Sequence, residues 1–235
     1  QKQLVQAAKL ATMGTLAGGV AHEINNPLTA ILTSVQMLLV SGDEFDAEET
    51  KESLELIEEA TKRCRTIVKK LMAYARKPVE SQEILKINLL DVVKKVNSFL
   101  AYQLKQENIK LVTEAQDETY FVMGNQNELE QVVTNIVLNA KDAIKRVNQS
   151  GRIDILLAKD KDWVRLEIKD QGPGIPRDDV PKIFDPFFTT KGVGKGLGLG
   201  LSICQSIVEK HRGSISLKSQ ENQGSIFTIN LPNAG

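Results

Sequence analysis

Val20-Ala21-His22-Glu23-Ile24-Asn25-Asn26-Pro27-Leu28 lies inside an apolar repeat that decides how the first third of the chain folds. Leu10, Met13, Ala17, Val20, Ile24, Leu28, Ile31, Val35 and Leu38 recur around it in steps of three and four. Such a seam predicts a long helix that buries one stripe against other helices. The acidic, turn-like Ser41-Gly42-Asp43-Glu44-Phe45-Asp46 interrupts it. A second seam then runs through Leu54, Ile57, Thr61, Cys64, Val68, Leu71 and Ala75 and stops before Lys77-Pro78. Two long helices and a short loop form an antiparallel hairpin. One hairpin does not cover both seams, so a dimeric four-helix bundle is the natural completion, with a monomeric hairpin packed on the next domain as the alternative. Cys64, at a seam position, reads as core.

Beyond Pro78 the pattern becomes mixed. A helix is predicted over Leu89–Gln106, then strands at Ile109–Thr113 and Tyr120–Met123. The next helix, Asn127–Val147, has Leu129, Val132, Val133, Ile136, Val137, Ala140 and Ile144 on its buried side. Its other face carries Gln131, Asn135, Asn139, Asp142 and Arg146. Strands Ile153–Ala158 and Val164–Lys169 form a hairpin, and a glycine-rich segment leads into a helix near Gly200–His211. Strands Ser214–Lys218 and Ser225–Leu231 follow. His211 reads as a helix C-terminal cap residue favoured by the dipole. The pattern predicts the α+β class: a helical hairpin (residues 1–78), then a mixed α/β region (79–235).

Composition narrows the function. The 235 residues are 41% hydrophobic, enough for packed cores, and 30 basic side chains balance 30 acidic ones. A nucleic-acid binder would carry a basic excess. No apolar run approaches the ~18 residues of a membrane span, and no cleavable signal is visible. Cys64 and Cys204 are the only cysteines, which excludes a disulfide framework and a CxxC metal site. The chain reads as soluble and cytoplasmic, with reduced thiols. Gln1 already lies within a helical pattern, so a fragment of a longer protein, soluble or membrane-anchored elsewhere, is expected.

His22 lies two residues from both Val20 and Ile24, about 200° around the helix from each, and so faces solvent. Glu23 stands beside it, Asn26 one turn later, and Pro27 cannot donate to the Glu23 carbonyl, which loosens the helix there. Neutral imidazole is a nucleophile, and a neighbouring carboxylate can take or hold its other ring proton. A phosphoryl acceptor needs a donor site, and the second half of the chain has one. In Asp170-Gln171-Gly172-Pro173-Gly174-Ile175, directly after a strand, two glycines let the backbone approach a flat ligand. Asp170 is an acceptor suited to an exocyclic amine. Glycine alternates through Gly192, Gly194, Gly196, Gly198 and Gly200 and opens into a helix at Leu201-Ser202, a source of backbone N–H groups for phosphate. Neither run is a P-loop or a dinucleotide fingerprint. Between them, Phe184-Asp185-Pro186-Phe187-Phe188-Thr189-Thr190-Lys191 suggests a lid that brings Thr hydroxyls and Lys191 toward phosphates. The polar stripe Asn135–Asn139–Asp142 suits the wall of a nucleotide cleft, with amide oxygens available to Mg²⁺.

Together these segments resemble the core of a sensor histidine kinase of two-component signalling. The resemblance covers nearly the whole chain: a phosphoacceptor box at His22–Leu28, an asparagine box at Asn135–Asp142, two glycine boxes, a phenylalanine box between them, and a last glycine element, Gly224-Ser225-Ile226-Phe227-Thr228. It implies that residues 1–78 form the dimerisation and histidine-phosphotransfer domain. Residues from about 80 onward would be the ATP-binding domain shared with gyrase and the ninety-kilodalton heat-shock chaperone, an α/β sandwich with a mixed sheet and helices on one face. By position it makes Asp170 the adenine-binding aspartate and Asn139 the Mg²⁺ ligand. Gly198, Leu199, Gly200 and Leu201 would be the phosphate end of the lid, and Thr228 an aid at the adenine, through water.

Asp142 stands where many such kinases have Lys, with Lys141 one residue earlier, and Leu197 where Thr or Ser is frequent. Related ATPases carry a water-activating glutamate in place of Asn135, so efficient hydrolysis is not expected. The implied reaction is phosphoryl transfer from Mg²⁺-ATP to His22 and on to a response-regulator receiver aspartate, within a homodimer. A polar residue at Asn26 further implies phosphatase activity toward that regulator. Two other readings stand beside it: a nucleotide-gated scaffold or phosphatase, and a conformational ATPase, which His22 and Asn135 both disfavour.

Overall fold

The computed structural model describes residues 17–41, 46–75, 83–147, 150–191 and 198–235, with side chains in the first two helices described over 24–40 and 46–68. These residues group into two compact units, one within Gln1–Val79 and Phe187–Leu199, the other within Glu80–Pro186 and Gly200–Gly235. Among them no helix is long and apolar enough to cross a membrane.

In the first unit, helix α1 (Ala17–Ser41) packs along helix α2 (Ala47–Ala75). Asp46 starts α2: its Oδ1 accepts from the amides of Glu48 and Glu49, both at 2.8 Å, while Glu49 reaches back to the Asp46 amide at 3.2 Å. This capping box satisfies donors the helix itself leaves orphaned and contributes about 1 kcal/mol. The covered line of α1 is Ile24, Pro27, Ile31, Ser34 and Leu38; that of α2 includes Ile57, Ala60, Cys64 and Ile67. Among the described seam residues, Ile24, Ile31 and Leu38 of α1 and Ile57 and Cys64 of α2 therefore close within the hairpin. Other seam positions stay outside: Leu28 is 48% exposed, Val35 36%, Leu54 54% and Val68 50%.

The second unit runs β1 (Leu85–Asn88), α3 (Leu89–Gln106), β2 (Ile109–Ala115), β3 (Phe121–Gly124), α4 (Gln126–Val147), β4 (Gly151–Lys159), β5 (Trp163–Asp170), α5 (Gly200–Lys210), β6 (Ser214–Ser219) and β7 (Ser225–Pro232). The main sheet has the order β2-β4-β5-β7-β6; β2 and β4 are parallel and every other pair is antiparallel. Alternation points Ile153, Ile155 and Leu157 of β4, Val164, Leu166 and Ile168 of β5, and Phe227, Ile229 and Leu231 of β7 to one buried face. Helix α3 packs on β2, α4 on β4 and β5, and α5 on β6 and α4, which makes an open-faced sandwich. All seven apolar residues predicted for the buried side of α4 are buried. The short strand β1, paired with β3, was not expected. Four residues that run straight into a helix show no period, and Asn88 serves both elements by accepting from the amides of Leu90 and Tyr120.

Candidate functional site

Asp170 ends the inward row of β5, opposite Ile153 of β4, and is only 3% exposed. A strand that alternates apolar-in therefore delivers a carboxylate to the edge of the core. Burial pushes its pKa above the usual aspartate value, and hydrogen bonds from the Gly172 and Ser225 backbones partly offset that rise. The Gly172 amide donates to Oδ1 over 2.8 Å. A side chain at Gly172 would sit 2.8 Å from both the Ala143 Cβ of α4 and that oxygen, so glycine alone lets the loop press against the helix. Gly174 adopts φ +72° and backs onto the Gln220 carbonyl. The turn between β6 and β7 holds this loop through Asn222 N–H to Pro173 O (2.7 Å) and Ile175 N–H to Ser219 Oγ (2.8 Å).

Helix α4 supplies the other wall. Asn125 caps it, its Oδ1 accepting from Glu128 N–H at 3.0 Å. One helical face then carries Asn135 and Asn139, Asp142 and Ala143 follow within the same helix, and Ala143 faces Gly172. Asn135 Nδ2 approaches the Gly200 carbonyl (3.4 Å) and Cys204 Sγ (3.7 Å), so its amide group faces the start of α5. Cys204 is fully buried, which pushes its thiol up to about 12, and it stays protonated and inert. The open side of Gly200 looks toward Asn139 Nδ2, 4.0 Å from where a Cβ would stand. Lys141 is held between Glu107 (3.1 Å) and Asp142 (3.5 Å) with its side chain only 13% exposed. It therefore stands in an ion pair beside Asp142.

The unit thus gathers Asn135, Asn139, Asp142, Asp170, Gly172, Gly174, Ile175, Gly200 and Leu201. Thr228 does not join them. It pairs with Glu167 and Ser216 on the face of the sheet opposite to Asp170, because residues of β7 alternate and Ser225 and Phe227 take the inward positions. Ser225, missed in the sequence, is the neighbour of Asp170. The period of two, counted inward from Phe227, was the available signal. Thr189, Thr190, Lys191, Gly198 and Leu199 fall in the other compact unit. There the Phe187 amide donates to the Gly198 carbonyl at 3.0 Å, and the Lys191 amide to Thr189 Oγ1 at 3.1 Å. Gly196 lies outside the described residues.

On α1, His22 and Glu23 belong to the helix but their side chains lie outside those described; Asn26 is half-buried and Pro27 buried. His211 caps the C-terminus of α5, as expected, through the Ile207 carbonyl. It is buried, and its Nε2 accepts from the Asn125 amide at 2.9 Å, a group that can only donate. Its Nδ1 therefore carries the proton and donates to the Ile207 carbonyl at 2.7 Å, so a neutral imidazole ties the end of α5 to the start of α4.

A carboxylate acceptor at the floor, a glycine loop that a Cβ would fill, and an asparagine wall fit an adenine nucleotide; amide oxygens on that wall fit its Mg²⁺. Residues 124–235 match the histidine kinase-, DNA gyrase B- and HSP90-like ATPase family, and residues 12–79 match the His Kinase A (phospho-acceptor) domain. The C4-dicarboxylate transport sensor protein DctB of Pseudomonas aeruginosa is 31% identical over 98% of this chain and 37% of its own length. Sporulation kinase A of Bacillus subtilis is 32% identical over 99% of this chain and 36% of its own. The chain thus spans little more than a third of either curated relative. Among solved structures, the catalytic domain of histidine kinase ThkA is 34% identical with TM-score 0.57, covering 64% of this chain and 98% of its own. ThkA in complex with the response regulator protein TrrA gives 30% identity and TM-score 0.80 over 97% of this chain and 64% of that one.

Proposed function

Because this chain belongs to the sensor histidine kinases and carries their phosphoacceptor and ATP-binding domains, we propose that it phosphorylates itself on His22 and passes the phosphoryl group to an aspartate of a response-regulator receiver. The observation that carries this reading is the buried Asp170 acceptor in its glycine loop, on the same chain as the His22 helix. Asp170 would accept from the adenine amine, with Gly172 and Gly174 letting the base approach. Mg²⁺, held through Asn139, would supply neutralisation of phosphate charge.

In the chemical step the lone pair of a neutral His22 nitrogen attacks the γ-phosphorus. A nitrogen–phosphorus bond forms, the bond to the bridging oxygen breaks, and ADP leaves with the electron pair. Glu23 takes or holds the other ring proton. Positioning and charge neutralisation account for most of the rate. In the second step a receiver carboxylate oxygen attacks phosphorus and the histidine nitrogen recovers its lone pair. Asn26, four residues on and about 40° around the helix, shares the His22 face and can hold a water in line with a phosphoryl-aspartate, which makes the chain a phosphatase as well. The exposed stripe Leu28, Leu32, Val35 and Leu39 on α1, with Leu54 and Val68 on α2, favours a homodimer through the hairpin.

Incubation with γ-labelled Mg²⁺-ATP tests the assignment. Acid-labile, base-stable label should appear on wild type and vanish in His22→Gln, with ATP affinity retained. Equal labelling of both proteins would overturn it.

A further inference from the structure

Ser219, the half-buried last residue of β6, stands where three backbone segments converge. Its Oγ lies 2.8 Å from the Ile175 amide, 3.1 Å from the Gly224 carbonyl and 3.0 Å from Ser225 Oγ. A hydroxyl has one proton and two lone pairs. The Ile175 amide can only donate and occupies one lone pair; the Gly224 carbonyl can only accept and takes the proton. The second lone pair then accepts from the Ser225 hydroxyl. That order commits the Ser225 proton to Ser219 and leaves the Ser225 oxygen an acceptor. Ser225 follows the last ladder pair, Lys169 with Ile226, and so meets Asp170 on the inward face, where its backbone already bonds the carboxylate. A second acceptor on the inward face that Asp170 occupies suits an exocyclic amine, which offers two hydrogens, and disfavours a carbonyl oxygen there.

We propose that Ser219 is a positioning residue for nucleobase selection: by fixing the Ser225 hydroxyl and the Ile175 turn, it makes the wall beside Asp170 accept only, and so favours a 6-amino over a 6-oxo purine. This rests on the reading of the cleft as an adenine-nucleotide site. In Ser219→Ala the Ser225 proton loses its acceptor and can turn toward a 6-oxo group, while the Ile175 amide loses its partner. Calorimetry with ATP and with inosine triphosphate reads the effect. Ser219→Ala should weaken ATP by about fivefold, the worth of one buried hydrogen bond, and inosine triphosphate by less, so the preference for ATP narrows. Ser219→Thr keeps the hydroxyl on a residue that suits a strand and should restore the preference.

An unchanged preference in Ser219→Ala, with or without a lower melting temperature, would overturn the proposal, as would an equal loss in Ser219→Thr. Ser219→Cys, a poor acceptor of similar size, should narrow the preference like alanine and serves if alanine does not fold. Asp170→Asn, measured alongside, keeps the two readings apart. If it binds ATP like wild type, the cleft reading fails; if it loses ATP while Ser219→Ala leaves the preference intact, only the role of Ser219 falls.

Discussion

Asp170→Asn is the most direct probe of the cleft. The native carboxylate accepts from Gly172 N–H at 2.8 Å and from the Ser225 backbone, and keeps further lone pairs for a ligand amine. Asparagine retains one oxygen but places an NH₂ where an acceptor stood, so a donor faces either a backbone amide or the adenine amine. One unpaired buried contact costs about 1–3 kcal/mol, which is about 5- to 150-fold in affinity. The raised pKa adds a second signature. Adenine pairs with the ionised form, so wild-type affinity should fall on acidification, beginning above the ordinary aspartate range, whereas the Asn variant lacks this component. The same shift has a defined sign for the empty domain: with the folded pKa above the unfolded one, the stabilising contribution is full below the unfolded pKa and is lost as pH rises through the folded pKa. Titration calorimetry at several pH values, with and without Mg²⁺, measures all of this. The Asp170→Asn loss should be independent of Mg²⁺, whereas Asn139→Ala should weaken only Mg²⁺-dependent binding. An Asn variant that binds Mg²⁺-ATP like wild type, or loses affinity only with Mg²⁺ present, would refute the reasoning.

Two further outcomes concern the hairpin. Asn26→Ala should keep autophosphorylation and lose dephosphorylation of the partner regulator, while Glu23→Ala should mainly lose autophosphorylation; a timed assay of the regulator's phosphoryl-aspartate, corrected for its own hydrolysis, reads the difference, and parallel losses would show that Asn26 only supports the helix before Pro27. Leu32, 57% exposed in the middle of the α1 stripe, should be buried between subunits, so Leu32→Glu should shift the protein to monomer in light scattering with its helix content kept; an unchanged dimer would place the interface elsewhere.

Periodicity carried the individual helices and strands. The α3 prediction, Leu89–Gln106, coincides with the observed helix, and the buried side of α4 is residue for residue the predicted one, because a 3.6-residue repeat of apolar side chains admits one way of facing a core. Asp170 was legible for a similar reason: a carboxylate ending an alternating strand, followed by two glycines, is a local pattern. Contacts between distant segments were not legible. That Thr228 faces away and Ser225 faces inward depends on which residue of β7 lies opposite Asp170, a register that the ladder sets. That Lys141 is engaged by Glu107, that Asn135 turns to Cys204, and that His211 is a neutral link to Asn125 each depend on helices brought together from positions 34, 69 and 86 residues apart. Ser219 is the plainest case: in the sequence it is one polar residue at a strand end, and only the meeting of three backbone segments gives its single proton and two lone pairs their partners.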